Sequence, residues 1–350
     1  LLSLIASLRE QEGIDAELFD LNRAFLESSH LPQSGDFYRA SAEAIIGSGI
    51  DVVGFMTDCD SYHHVLQIAR HVKIISPHTL ILLGGPHASA VAATTIERCP
   101  FIDSVVRGEG EATFAALIGE LKRGRAGHVD GIVYRAAGHA LATPQRPQIL
   151  SLDDLPLPAY ELYHPDDGEE IFVEAGRGCP FQCSFCSTAP FWRRQHRVKS
   201  PQRLLRDVES VQMLYGKRRI HFTHDLLTAD RRWVHDVCDA FITAGRPAEW
   251  TCSSRTDTVD RQLLRNMADA GCVAIYFGLE SGSERLLREV GKNIPLEHSF
   301  AILRECLEEG IEANAGLIGG LPNEDEYTLR ETFAAYERAL TMGCSPVSIF

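Results

Sequence analysis

The sequence predicts an α/β protein of two domains, a doubly wound parallel sheet followed by a partial (β/α)6 TIM-type barrel. Three observations carry this. Residues 1–125 alternate short apolar runs with helix-period stretches, and the runs end in glycine-rich turns, as strands of a helix-covered parallel sheet do. The alternation breaks between about 126 and 170. From 171 it resumes as six β/α units; that spacing suits a partial barrel better than a second open sheet, and periodicity alone leaves both open. A chain of 350 residues exceeds one average domain. With 45% hydrophobic and 23% charged residues, its composition is that of a globular protein.

The first helix is read from Leu1, Leu2, Leu4, Ile5 and Leu8. A strand is expected at 16–21 and another at 51–56, ahead of a helix with Val65, Leu66, Ile68, Ala69 and Val72 on its apolar face. The strand at 79–83 runs into Gly84-Gly85-Pro86-His87. The strand at 101–106 runs into Arg107-Gly108-Glu109-Gly110-Glu111, before a helix carrying Phe114, Leu117, Ile118 and Leu121. Gly131-Ile132-Val133-Tyr134 and a short stretch around Ala140 predict a hairpin. Asp153-Asp154-Leu155-Pro156-Leu157-Pro158-Ala159 is stiffened by proline, so 126–170 is read as hairpin plus linker. In the second half strands are expected at 171–176, 218–223, 248–253, 272–279, 312–318 and 345–350. Helices are expected at 200–215, 230–244, 260–270, 296–310 and 325–341. The chain opens inside a helix at Leu1 and stops inside a strand at Phe350, so a strand before Leu1 and further barrel after Phe350 are expected.

Directly after the 171–176 strand comes Arg177-Gly178-Cys179-Pro180-Phe181-Gln182-Cys183-Ser184-Phe185-Cys186. Three thiols at C-x3-C-x2-C spacing on a loop bounded by Gly and Pro call for a metal. Four thiolates would satisfy an iron–sulfur cube, one per iron; three leave one iron open to a substrate or cofactor. A zinc site completed by His196 is the alternative, but no second ligand pair follows. Ten cysteines in 350 residues are far from disulfide density. The other seven (Cys59, Cys99, Cys238, Cys252, Cys272, Cys306, Cys344) read as small buried hydrophobes.

A net charge of −14 disfavours nucleic acid. The one dense basic patch, Arg193 to Lys199, follows the cysteine loop and is read as lining it or binding an anionic cofactor group. No apolar run approaches membrane-spanning length, and a soluble cytoplasmic protein is expected.

At the cysteine loop the chain resembles the radical S-adenosylmethionine (SAM) superfamily, in particular its cobalamin-binding branch. The resemblance spans essentially the whole chain. It implies that Cys179, Cys183 and Cys186 hold a 4Fe–4S cluster whose free iron chelates SAM. One electron then cleaves SAM to methionine and a 5′-deoxyadenosyl radical. Phe185 is implied to pack near the adenine. Gly278-Leu279-Glu280-Ser281-Gly282-Ser283 is similar to a stretch whose acid and hydroxyl, here Glu280 and Ser281, face the SAM ribose. Gly316-Leu317-Ile318-Gly319-Gly320 is similar to the strand lying along the adenine; the family's following Glu falls on Asn323 here, with Glu324 beside it. Asp225, in His224-Asp225, is implied to accept from the SAM ammonium, and Arg255 to contact SAM. Read without the family, Phe185 is as readily a core aromatic, Glu280 and Asp225 helix caps, and Arg255 half of an ion pair. His196, His221, His224 and His235 are read as structural.

The loops at Gly84, Gly85, Pro86 and His87 and at Gly108, Glu109 and Gly110, with Thr57 and Tyr62 near the corrin face, resemble those of the branch's Rossmann-like cobalamin domain. Absent side chains there let backbone approach the corrin. The resemblance implies methyl transfer to an unactivated carbon, or less often phosphorus. The substrate would be a natural product, lipid or peptide, and an electron donor such as flavodoxin or ferredoxin would be needed. Cyclisation or rearrangement without methylation, and a non-catalytic cobalamin carrier or sensor, are the alternatives.

Overall fold

The computed structural model describes residues 1–350 except 27–35, 48, 122, 124, 217, 346 and 350. The chain divides into two compact units, Leu1–Leu150 with Leu155–Tyr163, and Ser151–Asp154 with His164–Phe350.

The first unit opens with helices α1 (Leu2–Arg9), α2 (Leu21–Leu26) and α3 (Phe37–Ile46). Strand β1 (Val52–Met56), helix α4 (Tyr62–Ile75) and strand β2 (Leu80–Gly84) follow. Then come α5 (Pro86–Ala90), α6 (Ala92–Arg98), β3 (Ser104–Val106), α7 (Glu111–Leu121) and the hairpin β4 (Ile132–Ala136) and β5 (His139–Ala142). The sheet order is β1-β2-β3-β4-β5. β1, β2 and β3 pair in parallel, and the hairpin joins β3 antiparallel, so its two strands belong to this sheet.

Successive strand residues face opposite sides of a sheet, and here both sides are apolar. Ile81 and Leu83 pack with Val65, Ile68, Ala69 and Val72 of α4 and Ile96 of α6. Between them, Leu82 turns the other way onto Leu8 of α1 and Leu117 and Ile118 of α7. Helices thus cover both faces of this sheet, as expected, although among the described residues its strand order follows the chain without the reversal of a doubly wound sheet. The strand expected at 16–21 does not form. Ile14 and Ala16 pack partly buried against the second core, but among the described residues β1 pairs with β2 alone. Alternation without a neighbour to accept its ladder bonds leaves an extended segment rather than a strand.

The second unit begins with β6 (Ile171–Glu174), β7 (Gly176–Arg177), α8 (Thr188–Phe191) and β8 (Arg197–Val198). It continues with α9 (Pro201–Tyr215), β9 (Ile220–Thr223), α10 (Arg231–Thr243), β10 (Trp250–Ser254) and α11 (Arg261–Asp269). The remainder is β11 (Cys272–Glu280), α12 (Glu284–Glu289), α13 (Leu296–Glu308), β12 (Glu312–Leu317), α14 (Glu326–Met342) and β13 (Val347–Ile349). Pro346 and Phe350, in the strand expected at 345–350, lie outside the described residues.

The order β6-β9-β10-β11-β12-β13 is the chain order, and every pairing is parallel. A doubly wound sheet reverses its order part-way; this one does not, so it is wound as six strands of a β/α barrel. Val173, Phe222, Cys252, Ile275 and Ala313 stand in register across five strands, and all are buried. The opposite face carries Phe172 (57% exposed), His221 and Tyr276 (40% exposed). The helices start where the sequence supplies caps: Ser200, Asp230, Asp260 and Asp325 each accept from the backbone N–H three residues on.

Asp207 is buried in α9 between two cations. Lys199 Nζ lies 2.6 Å from one carboxylate oxygen and Arg203 Nε 2.7 Å from the other. Removing one partner of a buried pair leaves uncompensated charge, so Asp207→Ala is expected to cost about 3–5 kcal/mol. Urea denaturation checks this; a loss below about 1 kcal/mol, the range of exposed pairs, would contradict it.

Candidate functional site

The cysteine loop is closed at its base by protein bonds. β7 and β8 pair antiparallel, Gly176 with Val198 and Arg177 with Arg197, so residues 178–196 form a loop with a fixed neck. Gly178 has φ +90°, and a Cβ there would lie 1.8 Å from the Gln195 carbonyl oxygen. Asp225, just past β9, braces the loop on either side of the three cysteines: its Oδ2 accepts from Gly178 N–H at 2.8 Å and its Oδ1 from the Thr188 hydroxyl at 3.0 Å. Within the loop Cys186 N–H donates to Cys183 O at 3.1 Å, and Ser184 N–H donates to Val290 O at 2.9 Å.

Cys179, Cys183 and Cys186 are half-buried free thiols. Burial pushes the Cys179 thiol above its ordinary range, with the Phe181 backbone N–H and Arg255 opposing and the other two thiols adding to the rise. Arg255 Nη1 donates to Cys183 Sγ at 3.4 Å. Among the described residues no three His, Cys, Asp or Glu side chains converge as ligands of a single ion. A four-iron cube asks for something else, one thiolate on each of three separate irons. The donor set therefore fits the cube: three soft thiols, half-buried, with a cation beside them.

The later strand ends add a floor and walls. Gly278, Gly316 and Ser348 stand in register on β11, β12 and β13, a level with little side chain on it. Phe185 and Ile318 both pack on Leu286, Val290 and Leu321, which brings two of the predicted contacts into one apolar patch. Glu280 sits at a ladder irregularity with φ +65°, a left-handed conformation costly for a residue with a Cβ. Its Oε1 accepts from buried Lys292 Nζ at 2.7 Å, and the same ammonium donates to Gly278 O at 2.8 Å. Ser281 is fully buried, its hydroxyl paired with Thr332 at 3.0 Å and accepting from Ser283 N–H at 3.0 Å. It is a joint with α14, not an exposed hydroxyl. At the end of β12, Glu324 folds back so that its Oε2 accepts from Gly320 N–H at 2.7 Å, while Asn323 turns to Glu289. Behind the loop, burial with His196 alongside pushes His224 down to about 3, so it is neutral at physiological pH.

In the first unit the ends of β1, β2 and β3 lie side by side. Thr57 is buried; its hydroxyl donates to Gly84 O at 3.1 Å and accepts from Ala88 N–H at 3.2 Å. Gly85 has φ +98°, and a Cβ there would lie 2.5 Å from Thr57 O, so that turn requires glycine. Gly84 has open space where a Cβ would stand. Tyr62 packs tilted against His87, ring centroids 4.5 Å apart, and shares a 2.6 Å bond with Thr95; His87 also meets the Cys59 thiol at 3.3 Å. Gly108 N–H donates to Ser89, Glu109 accepts from Ile149 N–H, and Gly110 lies against Leu4 of α1.

A family model described as the radical SAM superfamily matches residues 173–335, and one described as the B12 binding domain matches 1–118. The chain therefore carries a radical SAM domain. It is 32% identical over 288 residues to an uncharacterized methyltransferase of Pyrococcus horikoshii, covering 81% of this chain and 63% of that protein. It is 28% identical to the anaerobic magnesium-protoporphyrin IX monomethyl ester cyclase of Rubrivivax gelatinosus, covering 81% and 53%. The chain thus spans between half and two thirds of the length of these relatives. Its fold is similar to that of the radical SAM methyltransferase TsrM of Kitasatospora setae, with a TM-score of 0.79, 16% identity, and 99% and 71% of the two chains covered.

Within this radical SAM domain the structure gathers Cys179, Cys183, Cys186, Asp225 and Arg255 around one loop, and Phe185 and Ile318 in the patch beside it. Sequence reasoning missed Lys292, Thr188, Asp257 and the β7–β8 neck. Lys292 had a signal: Glu280 directly follows an apolar strand, and a carboxylate in such a place asks for a cation. The neck had none, because two-residue strands lie below any periodicity.

Proposed function

We propose that the protein is a cobalamin-dependent radical SAM methyltransferase acting on an unactivated carbon of a natural product, lipid or peptide. The observation that carries the reading is the joining, in one chain, of a three-thiol loop with a B12-binding domain. The relative named a methyltransferase supports it. When bound, a 4Fe–4S cluster held by Cys179, Cys183 and Cys186 supplies the electron that cleaves SAM to methionine and a 5′-deoxyadenosyl radical, and cobalamin supplies the methyl group. The chain's own part is to hold three thiolates on a fixed loop and to offer the Phe185–Ile318 patch to an adenine. Glu280 stands locked at the strand end, where a ribose diol would find an acceptor. Gly84, Gly108 and Gly110, with Tyr62 and His87, would receive the corrin. The proposal includes a one-electron donor of the flavodoxin or ferredoxin class and a cytoplasmic setting.

The relative named a cyclase favours a second reading, ring formation or rearrangement without methylation. Anaerobic reconstitution with iron, sulfide, SAM and cobalamin separates the readings. Both 5′-deoxyadenosine and S-adenosylhomocysteine are expected. Deoxyadenosine alone would favour rearrangement, and neither product from a protein with a stable cluster would leave a cobalamin carrier.

Asp225 gives a sharper test of roles. If it holds the loop, Asp225→Asn retains an acceptor for Gly178 N–H and keeps its iron, whereas Asp225→Ala loses both bonds and about tenfold or more of its cluster affinity. If it instead neutralises the SAM ammonium, the Asn variant binds SAM weakly with its iron intact. Iron content and SAM affinity of the two variants decide.

A further inference from the structure

We propose that Arg255 tunes the reduction potential of the cluster through Cys183, and that Asp257 sets how strongly it does so; this rests on the reading that the loop holds a four-iron cluster. Arg255 follows β10 and is 7% exposed. Its fork is occupied on one side: Nε donates to Asp257 Oδ1 at 2.9 Å and Nη2 to Oδ2 at 2.8 Å. Its plane lies over the Phe181 ring, 3.7 Å from centroid to guanidinium carbon. Those contacts fix the remaining nitrogen, Nη1, which donates to Cys183 Sγ at 3.4 Å. The arginine read from sequence as a SAM contact is thus aimed at a thiol and at the ring between the first two cysteines.

Reduction adds one electron, taken from an external low-potential donor, to the cluster and its thiolates. An N–H bond to a ligand sulfur and a buried positive charge both stabilise the extra negative charge, which raises the potential. The Asp257 carboxylate, on the far side of the guanidinium, offsets part of that charge. The two residues therefore act with opposite sign. Arg255→Gln removes the cation and makes the cluster harder to reduce. Asp257→Asn keeps an acceptor for the guanidinium but removes the offset, and makes it easier to reduce. A role confined to packing Phe181 predicts no such opposition.

The experiment is a spectroelectrochemical titration of the reconstituted wild type, R255Q and D257N, without substrate. At the wild-type midpoint, R255Q is expected to show at least a tenfold lower ratio of reduced to oxidised cluster, about 59 mV for one electron. D257N is expected to shift the ratio upward. Equal midpoints in all three, each with full iron content, overturn the inference and leave the cluster reading standing. If R255Q does not assemble, D257N decides alone; loss of the cluster from both overturns tuning in favour of a purely structural role. A wild type that binds no four-iron cluster overturns the underlying reading instead.

Discussion

Cys183→Ala is expected to leave the protein without a four-iron cluster, with iron and acid-labile sulfide each falling more than about tenfold. The cube needs a thiolate on each of three irons, and the loop that supplies them is fixed at both ends and cannot slide to offer a substitute. Cys183 is the central ligand of the spacing, and its amide neighbours are committed: Cys186 N–H bonds Cys183 O, and Ser184 N–H bonds Val290 O. The change removes little packing, because the thiol is only half-buried. Denaturation should therefore move little while iron is lost. Cys344→Ala is the control; Cys344 is 2% exposed with its thiol raised by burial, so its loss costs packing and leaves the iron in place. An unaltered four-iron spectrum from Cys183→Ala would sink the assignment.

Gly178→Ala is expected to be the most damaging single-methyl change in the second unit. The residue combines two penalties. Its φ of +90° is costly for any side chain, and the new Cβ would stand 1.8 Å from the Gln195 carbonyl, which is backbone and cannot rotate away. Relief means opening the β7–β8 neck or breaking the Gly178–Asp225 bond, and either displaces Cys179. A destabilisation of about 2–4 kcal/mol together with loss of cluster follows. Gly216→Ala provides the comparison: φ there is +74° with nothing within 4 Å of the new methyl, so only the backbone cost of about 1 kcal/mol applies and iron is retained. Urea midpoints and iron content of the two proteins check this, and equal losses would show that the close approach is relieved cheaply.

How much of this was legible in the sequence follows from the range of the interactions. Helices α9, α10, α11 and α14 were legible to within a residue or two because their caps are local. The strands of the second sheet were legible because Val173, Phe222, Cys252, Ile275 and Ala313 are apolar at the positions that alternation demands. Residues 16–21 show the limit: the same alternation yields no strand when no neighbour pairs with it. The cysteine loop was legible because its ligands lie within eight residues. What holds it was not, since Asp225, Val290 and Arg255 come from distant parts of the chain. Ser281 was read as facing a ligand because its motif is local, but its partner Thr332 lies in α14, and only the fold brings them together.

The neck of the cysteine loop bears on what loss of a cluster would do to the fold. Small zinc domains owe their fold to the metal and unravel without it. Here the loop is held by the β7–β8 ladder at its neck and by Asp225 and the backbone of Val290 along its length, none of which is among the three thiols. Destruction of a cluster is then a local injury to a chain that keeps its shape. Reassembly with iron and sulfide would then start from a standing scaffold, without refolding of the chain.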